Sequence, residues 1–285
     1  MPIRNELHFI KMNGAGNDFV IIDLRHCTRI SAKDCQTLSD RHTGIGCDMI
    51  LGILPPRDPL ATVAFQIWCA DGAQSMQCGN GARCIAGWAL REGLVCTPKF
   101  MIESPSGLHS VEVLPCGNIC VSMGCPNFSP ASLPMQGYPA EKDVYETELR
   151  NGNKIQFSAL SVGNPHAIIL VKDVAQAEVY ATGTALQHSA CLPRQVNVGF
   201  AQIISRKAIK LRVYEFGAGE TLACGSGACA AAAALIKQGL LDREVSVHLP
   251  GGELLISWES NNSPVYMAGP AEYSFKGSIP YAALQ

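Results

Sequence analysis

Short apolar or alternating runs dominate the chain. Phe19–Ile22, Met49–Leu54, Phe65–Trp68, Val111–Leu114, Ile168–Val171, Ala201–Ile204, Leu211–Tyr214, Val245–Leu249 and Leu254–Trp258 are too short for stable helices and read as strands. Turn-forming clusters such as Pro55-Pro56, Pro115-Cys116-Gly117-Asn118 and Pro250-Gly251-Gly252 separate them. Two stretches break this rhythm. Arg83–Leu90 and Ala228–Ile236 are apolar nearly all round, which predicts helices enclosed by a sheet on every side. A lesser helix is expected over Ala32–Arg41, opened by Ser31.

Both buried-helix stretches are entered through the same phrase, Cys78-Gly79-Asn80-Gly81-Ala82 and Cys224-Gly225-Ser226-Gly227-Ala228. Further pairs follow in the same order. Gly16-Asn17-Asp18 answers to Gly163-Asn164-Pro165, Ser106-Gly107 to Gly251-Gly252, and Val121-Ser122-Met123 to Val265-Tyr266-Met267. The offsets are 163 − 16 = 147, 224 − 78 = 146, 252 − 107 = 145 and 267 − 123 = 144, a steady register that indicates an internal duplication of domain size. The expected architecture is α/β, with two pseudo-symmetric domains, each a curved, mostly antiparallel sheet around a central helix. The first covers residues 1–124 with a returning tail at about 271–285, and the second residues 125–270; four prolines between Met123 and Pro139 mark the joint.

Composition narrows the function. At 285 residues with 47% hydrophobic and 16% charged residues, the chain is globular, and a net charge of −2 gives no basic face for nucleic acid. Neither a signal-peptide pattern nor a membrane-length apolar run is evident, so a cytoplasmic protein is expected. Thirteen cysteines without C-x-x-C spacing argue against a disulfide framework and against a zinc site.

A thiol at a helix N-terminus lies beside unpaired backbone N–H groups and the positive end of the helix dipole, which favour thiolate. The same N–H groups bind carboxylates, and the glycines allow close approach. Two such ends around one amino acid would place a thiol on each face of its α-carbon, the arrangement needed to remove a proton from one side and return one on the other. A redox pair is the competing use of two facing thiols.

Lys11-Met12-x-Gly14-x-Gly16-Asn17-Asp18-Phe19, Arg41-His42-x-Gly44-Ile45-Gly46-x-Asp48, Gln77–Cys84, Gly163–His166, Val196-Asn197-x-Gly199-Phe200, Gly217–Thr221 and Ala223–Ala228 resemble diaminopimelate epimerase along essentially the whole chain. The resemblance implies a site in the cleft between the domains and catalysis without pyridoxal phosphate, metal or other cofactor. It also implies a small amino-acid substrate, no nucleic-acid or membrane partner, and a homodimer as one possible assembly. It makes Cys78 and Cys224 the acid/base pair, with His166 and Glu215 beside them. Gly79, Asn80, Gly225 and Ser226 would hold the reacting carboxylate, and Asn17, Asn164 and Asn197 the rest of the substrate. Arg83 keeps a solvated or structural reading.

Three positions depart from the family pattern: Met49 stands where Gln or Gly is common, Cys69 replaces an asparagine, and Phe216 replaces an arginine that pairs with the distal carboxylate. Loss of that guanidinium removes a charge-assisted contact. The expected activity is therefore amino-acid racemisation with a basic or otherwise non-dicarboxylic substrate such as lysine. Diaminopimelate epimerisation is the alternative, and a non-catalytic amino-acid-binding or thiol redox protein the alternative from another class.

Overall fold

The computed structural model describes residues 6–26, 30–133, 135–150, 152–193 and 195–280. The ends of the first predicted domain and of its tail, residues 1–5 and 281–285, lie outside these, as does Cys27. The chain divides into two compact units, one running to Val121 and resuming at Gly269, the other Ser122–Ala268.

In chain order the first part contains β1 (Glu6–Gly14), β2 (Asn17–Asp23), α1 (Ala32–Ser39), β3 (Met49–Leu54), β4 (Ala61–Cys69), β5 (Gln74–Ser75), α2 (Gly79–Arg91), β6 (Lys99–Ser104), β7 (Gly107–Val113) and β8 (Ile119–Ser122). The second contains β9 (Tyr145–Glu148), β10 (Lys154–Ser161), β11 (Pro165–Leu170), α3 (Val179–Gln187), β12 (Asn197–Ser205), β13 (Ala208–Glu215), β14 (Gly219–Thr221), α4 (Gly225–Lys237), β15 (Glu244–Leu249), β16 (Gly252–Ser257) and β17 (Tyr266–Gly269). The last strand, β18 (Glu272–Pro280), pairs antiparallel with β1.

Pairing repeats between the units. In the first, β2 runs parallel to β3 and β4 parallel to β6; in the second, β11 runs parallel to β12 and β13 parallel to β15. The hairpins β1–β2, β3–β4 and β6–β7 have counterparts in β10–β11, β12–β13 and β15–β16. The sheets are thus mostly antiparallel, with parallel pairings where a helix crosses over.

Each central helix is enclosed. Phe19 and Ile21 of β2, Leu51 and Ile53 of β3, and Phe65 and Ile67 of β4 share one core with Ala82, Ile85, Ala86 and Ala89 of α2. Alternate residues Val20, Ile22, Ile50 and Trp68 face the other way and pack with Cys35 and Leu38 of α1. Strands covered on both faces need apolar residues at every position, which is why Phe19–Ile22 and Met49–Leu54 read as unbroken runs. α4 packs against β10, β11, β12, β13, β15 and β16, and its Ala230–Ala233 are fully buried. Small side chains there let backbone and sheet approach closely. α1 opens with a capping box between Ser31 and Asp34 and stops at Ser39, two residues before the predicted end, because Asp40 turns to extended backbone.

Candidate active site

Cys78 and Cys224 are the N-cap residues of α2 and α4, both in extended backbone, and each sulfur accepts a hydrogen bond from the third helical residue, Gly81 N and Gly227 N, at 3.3 Å. Serine, threonine, aspartate or asparagine would cap better. A thiol nevertheless holds this role at two equivalent positions. The third-position glycines are not equally crowded: a Cβ on Gly81 would lie at ordinary contact distance, 3.4 Å, from the Cys78 sulfur, whereas one on Gly227 would lie 3.2 Å from that of Cys224.

In the first unit, Asn17 leaves the β1–β2 hairpin, whose two-residue loop Ala15-Gly16 has φ of 57° and 83°. Both residues have positive φ, as the tight hairpin turns matching strand twist require. Asn17 Oδ1 lies 3.8 Å from Cys78 Sγ and accepts from Asn80 Nδ2 at 3.3 Å, while Asn17 Nδ2 donates to Asp48 at 2.9 Å. Behind it Arg41 bridges Asp18 and Asp48, both at 2.8 Å, and Lys11 reaches Asp18 at 2.6 Å. Burial pushes the Asp18 carboxyl up, but hydrogen bonds and charge from Arg41 and Lys11 outweigh it and hold the group well below the usual carboxylate range. Arg83 is fully buried, not solvated, and donates from Nε to the Pro270 carbonyl at 3.2 Å.

In the second unit, Cys224 is buried, and its thiol is held well above its ordinary range by burial first and by the nearby Glu215 charge second. Ser226 Oγ, 3.6 Å from the sulfur, and Gly227 N pull the other way. Glu215 in turn accepts from the Thr221 hydroxyl. Asn197 Oδ1 accepts from the backbone N–H of Phe216 at 3.0 Å, pinning the turn after β13; the Phe216 side chain is half exposed. His166 is fully buried, and burial lowers it to about 3, so the ring is neutral. Its Nε2 lies 3.0 Å from Asn164 Oδ1, and its Nδ1 is buried without a partner among the described residues.

Met49 and Cys69 face each other across β3 and β4. The pair Ile50–Trp68 beside them corresponds to Val198–Tyr214 in the second unit, at offsets of 198 − 50 = 148 and 214 − 68 = 146. One step along, Met49 and Cys69 therefore hold the positions that Asn197 and Glu215 hold in the other repeat. Asp48, Arg41 and Thr221, to which sequence reasoning gave no role, support the predicted site residues. Among the described residues no three His, Cys, Asp or Glu side chains converge where a metal could bind, and no helix is long and apolar enough to cross a membrane.

Solved structures sharing this duplicated fold include a hydroxyproline epimerase from Agrobacterium vitis with bound trans-4-hydroxy-L-proline (TM-score 0.72, 13% identity, 99% of this chain and 94% of that one). A PhzF-family phenazine biosynthesis protein from Bacillus anthracis also shares it (TM-score 0.66, 16% identity, 96% and 99%). At such low identity the likeness establishes the fold alone. The sequence profile of the diaminopimelate epimerase family matches residues 9–129 and 158–274, one block in each repeat. The chain is 52% identical over 284 residues to O-ureido-serine racemase of Streptomyces lavendulae, covering 100% of this chain and 99% of that protein. It is 49% identical over 272 residues to diaminopimelate epimerase of Xanthomonas campestris pv. campestris, covering 95% of each. The fold and these relatives define an isomerase of the racemase and epimerase class. Within that class, the chain belongs to the diaminopimelate epimerase family.

Proposed function

We propose that this enzyme racemises an amino acid with an uncharged polar side chain of the ureido type, using Cys78 and Cys224 as its two bases. One cysteine, as thiolate, takes the α-proton, and the C–H electron pair moves toward the substrate carboxylate. The S–H bond of the other then breaks and its proton joins the opposite face of the carbon. One thiolate and one thiol remain, exchanged. Backbone N–H groups at Gly79, Asn80, Gly225 and Ser226 receive the carboxylate where negative charge grows. Asn17, Asn164 and Asn197 orient the substrate, and neutral His166 holds Asn164.

The observation that carries the substrate class is the closeness of Glu215 to Cys224, whose thiol feels the Glu215 charge directly. That supports a role for Glu215 at the reacting end, as partner of the α-ammonium. A lysine substrate would need a second acceptor for its distal ammonium, and the specificity positions Met49, Cys69 and Phe216 offer no fixed charge of either sign. A ureido group needs none: it is neutral and both donates and accepts hydrogen bonds. The 52% identical O-ureido-serine racemase supports this over lysine. Diaminopimelate epimerisation is the second reading, favoured by the 49% identical relative.

Incubation in heavy water with O-ureido-L-serine, L-lysine and LL-diaminopimelate in parallel tests the substrate. Rapid α-deuteration of O-ureido-serine is expected, lost in Cys78→Ala and Cys224→Ala. Exchange confined to diaminopimelate would overturn the reading.

A further inference from the structure

We infer that Asp48 is a positioning residue that sets the proton affinity of Cys78 by fixing which end of the Asn17 amide faces the sulfur. This rests on the reading of Cys78 as an acid/base group. A carboxylate only accepts hydrogen bonds, so the 2.9 Å contact from Asn17 to Asp48 must come from the amide nitrogen. The carbonyl oxygen is thereby turned the other way, toward Cys78 Sγ at 3.8 Å and Asn80 Nδ2 at 3.3 Å. A carbonyl oxygen accepts from S–H and repels a thiolate. The Gly81 N–H on the same sulfur has the opposite preference. Cys78 thus sits between one partner that favours thiol and one that favours thiolate, and Asp48 keeps the first in place. Asp48 is itself held by Arg41 and by a hydrogen bond from Asp18 N at 3.2 Å.

Among the described residues, the charged and titratable groups near Cys78 in its unit include Asp18, on β2, and Asp48, which precedes β3, with Lys11 and Arg41 bound to them, Arg83 and Cys84 on α2, and Glu272 on β18, whose charge reaches Cys84. Asp48 carries a charge as well as an orienting contact, and its removal would leave the Lys11–Asp18–Arg41 group with a net positive charge, so the two effects must be separated.

Variants separate the two effects. Asp48→Ala removes the acceptor and lets the amide turn its nitrogen to the sulfur. Asp48→Asn removes the charge but keeps an oxygen for Asn17 Nδ2. Iodoacetamide labelling of Cys78, read by peptide mass spectrometry across the neutral-to-alkaline range, reports its titration midpoint. Asp48→Ala is expected to lower that midpoint by about one pH unit. Asp48→Asn should leave it near that of the unmodified chain, Asn17→Ala should lower it, and adding Asp48→Ala to Asn17→Ala should change nothing more. Equal shifts in Asp48→Ala and Asp48→Asn, or an Asp48 effect that persists without Asn17, would overturn the inference. If Asp48→Ala does not fold, a lowered midpoint in Asn17→Ala with an unchanged one in Asp48→Asn sustains it, and any other pairing refutes it. Labelling reads the sulfur without substrate, so this test can fail while racemisation stands, and the reverse.

Discussion

Gly81 and Gly227 are equivalent by sequence, yet alanine should be tolerated unequally at the two. In a helix, alanine is favoured over glycine by up to about 1 kcal/mol. At Gly227 the new methyl would lie 3.1 Å from Val213 Cγ2, 3.2 Å from Cys224 Sγ and 3.3 Å from Cys224 Cβ. Val213 is buried, branched at Cβ and fixed in β13, and the cysteine is fixed by its capping role. Neither yields easily, and overpacking of this kind costs about 1–3 kcal/mol. At Gly81 the neighbours are the terminal methyls of Leu51, at 3.2 and 3.4 Å, and Cys78 Sγ at 3.4 Å. A leucine end can turn aside. Gly227→Ala is therefore expected to lose about 1–2 kcal/mol net, and Gly81→Ala to stay within about 0.5 kcal/mol of the parent. Equilibrium urea denaturation measures both, with Trp68 and Trp88 reporting on the first unit and Trp258 on the second. If Gly227→Ala proves as stable as Gly81→Ala, crowding at the second cap is not what keeps that glycine.

Other outcomes follow from the same geometry. Phe216→Arg restores a guanidinium at the family's distal position and should raise kcat/KM for diaminopimelate by roughly tenfold or more; unchanged turnover would mean that the distal carboxylate is read elsewhere. Glu215→Gln removes the charge that helps hold the Cys224 thiol protonated, so alkylation of Cys224 should begin at lower pH. On the alkaline side, Cys35 and Cys84 are pushed up to about 12 and Cys120 to about 11, chiefly by burial. These groups hold protons more tightly folded than unfolded, so their stabilisation is complete below the ordinary thiol range and declines as pH rises through those values. His166, lowered by burial to about 3 from 6.5, contributes stability above 6.5 that is lost as pH falls toward 3. Thermal melts across pH, with His166→Gln as reference, should show a shallower acid limb in the variant.

The parts of the fold legible in the sequence were those whose local pattern agreed with their surroundings. Met49–Leu54 is strand β3 to the residue, because both its faces are covered. α3 was not legible: Val179, Thr182, Gly183 and Thr184 are weak helix formers and no side chain caps its start. Tertiary packing makes that helix. A Cβ at Gly183 would come within 2.6 Å of the Tyr214 ring, so close passage over β13 selects the glycine. β1 was obscured by Lys11, a buried cation inside a strand, which its contacts with Asp18 and the Gly46 carbonyl explain. The two cysteines were legible because they recur in register. The support of Asn17 by Asp48 was not, since it depends on β2 and β3 lying parallel with Phe19 opposite Met49.

The sulfur that closes each helix is, in the two-base cycle proposed above, also the atom that gains or loses the proton. A thiolate accepts the Gly81 or Gly227 N–H more strongly than a thiol does. Every turnover would then tighten one helix entrance as it slackens the other, a see-saw between two first turns that reverses with the direction of racemisation. Amide exchange at Gly81 and Gly227 would record which end is down.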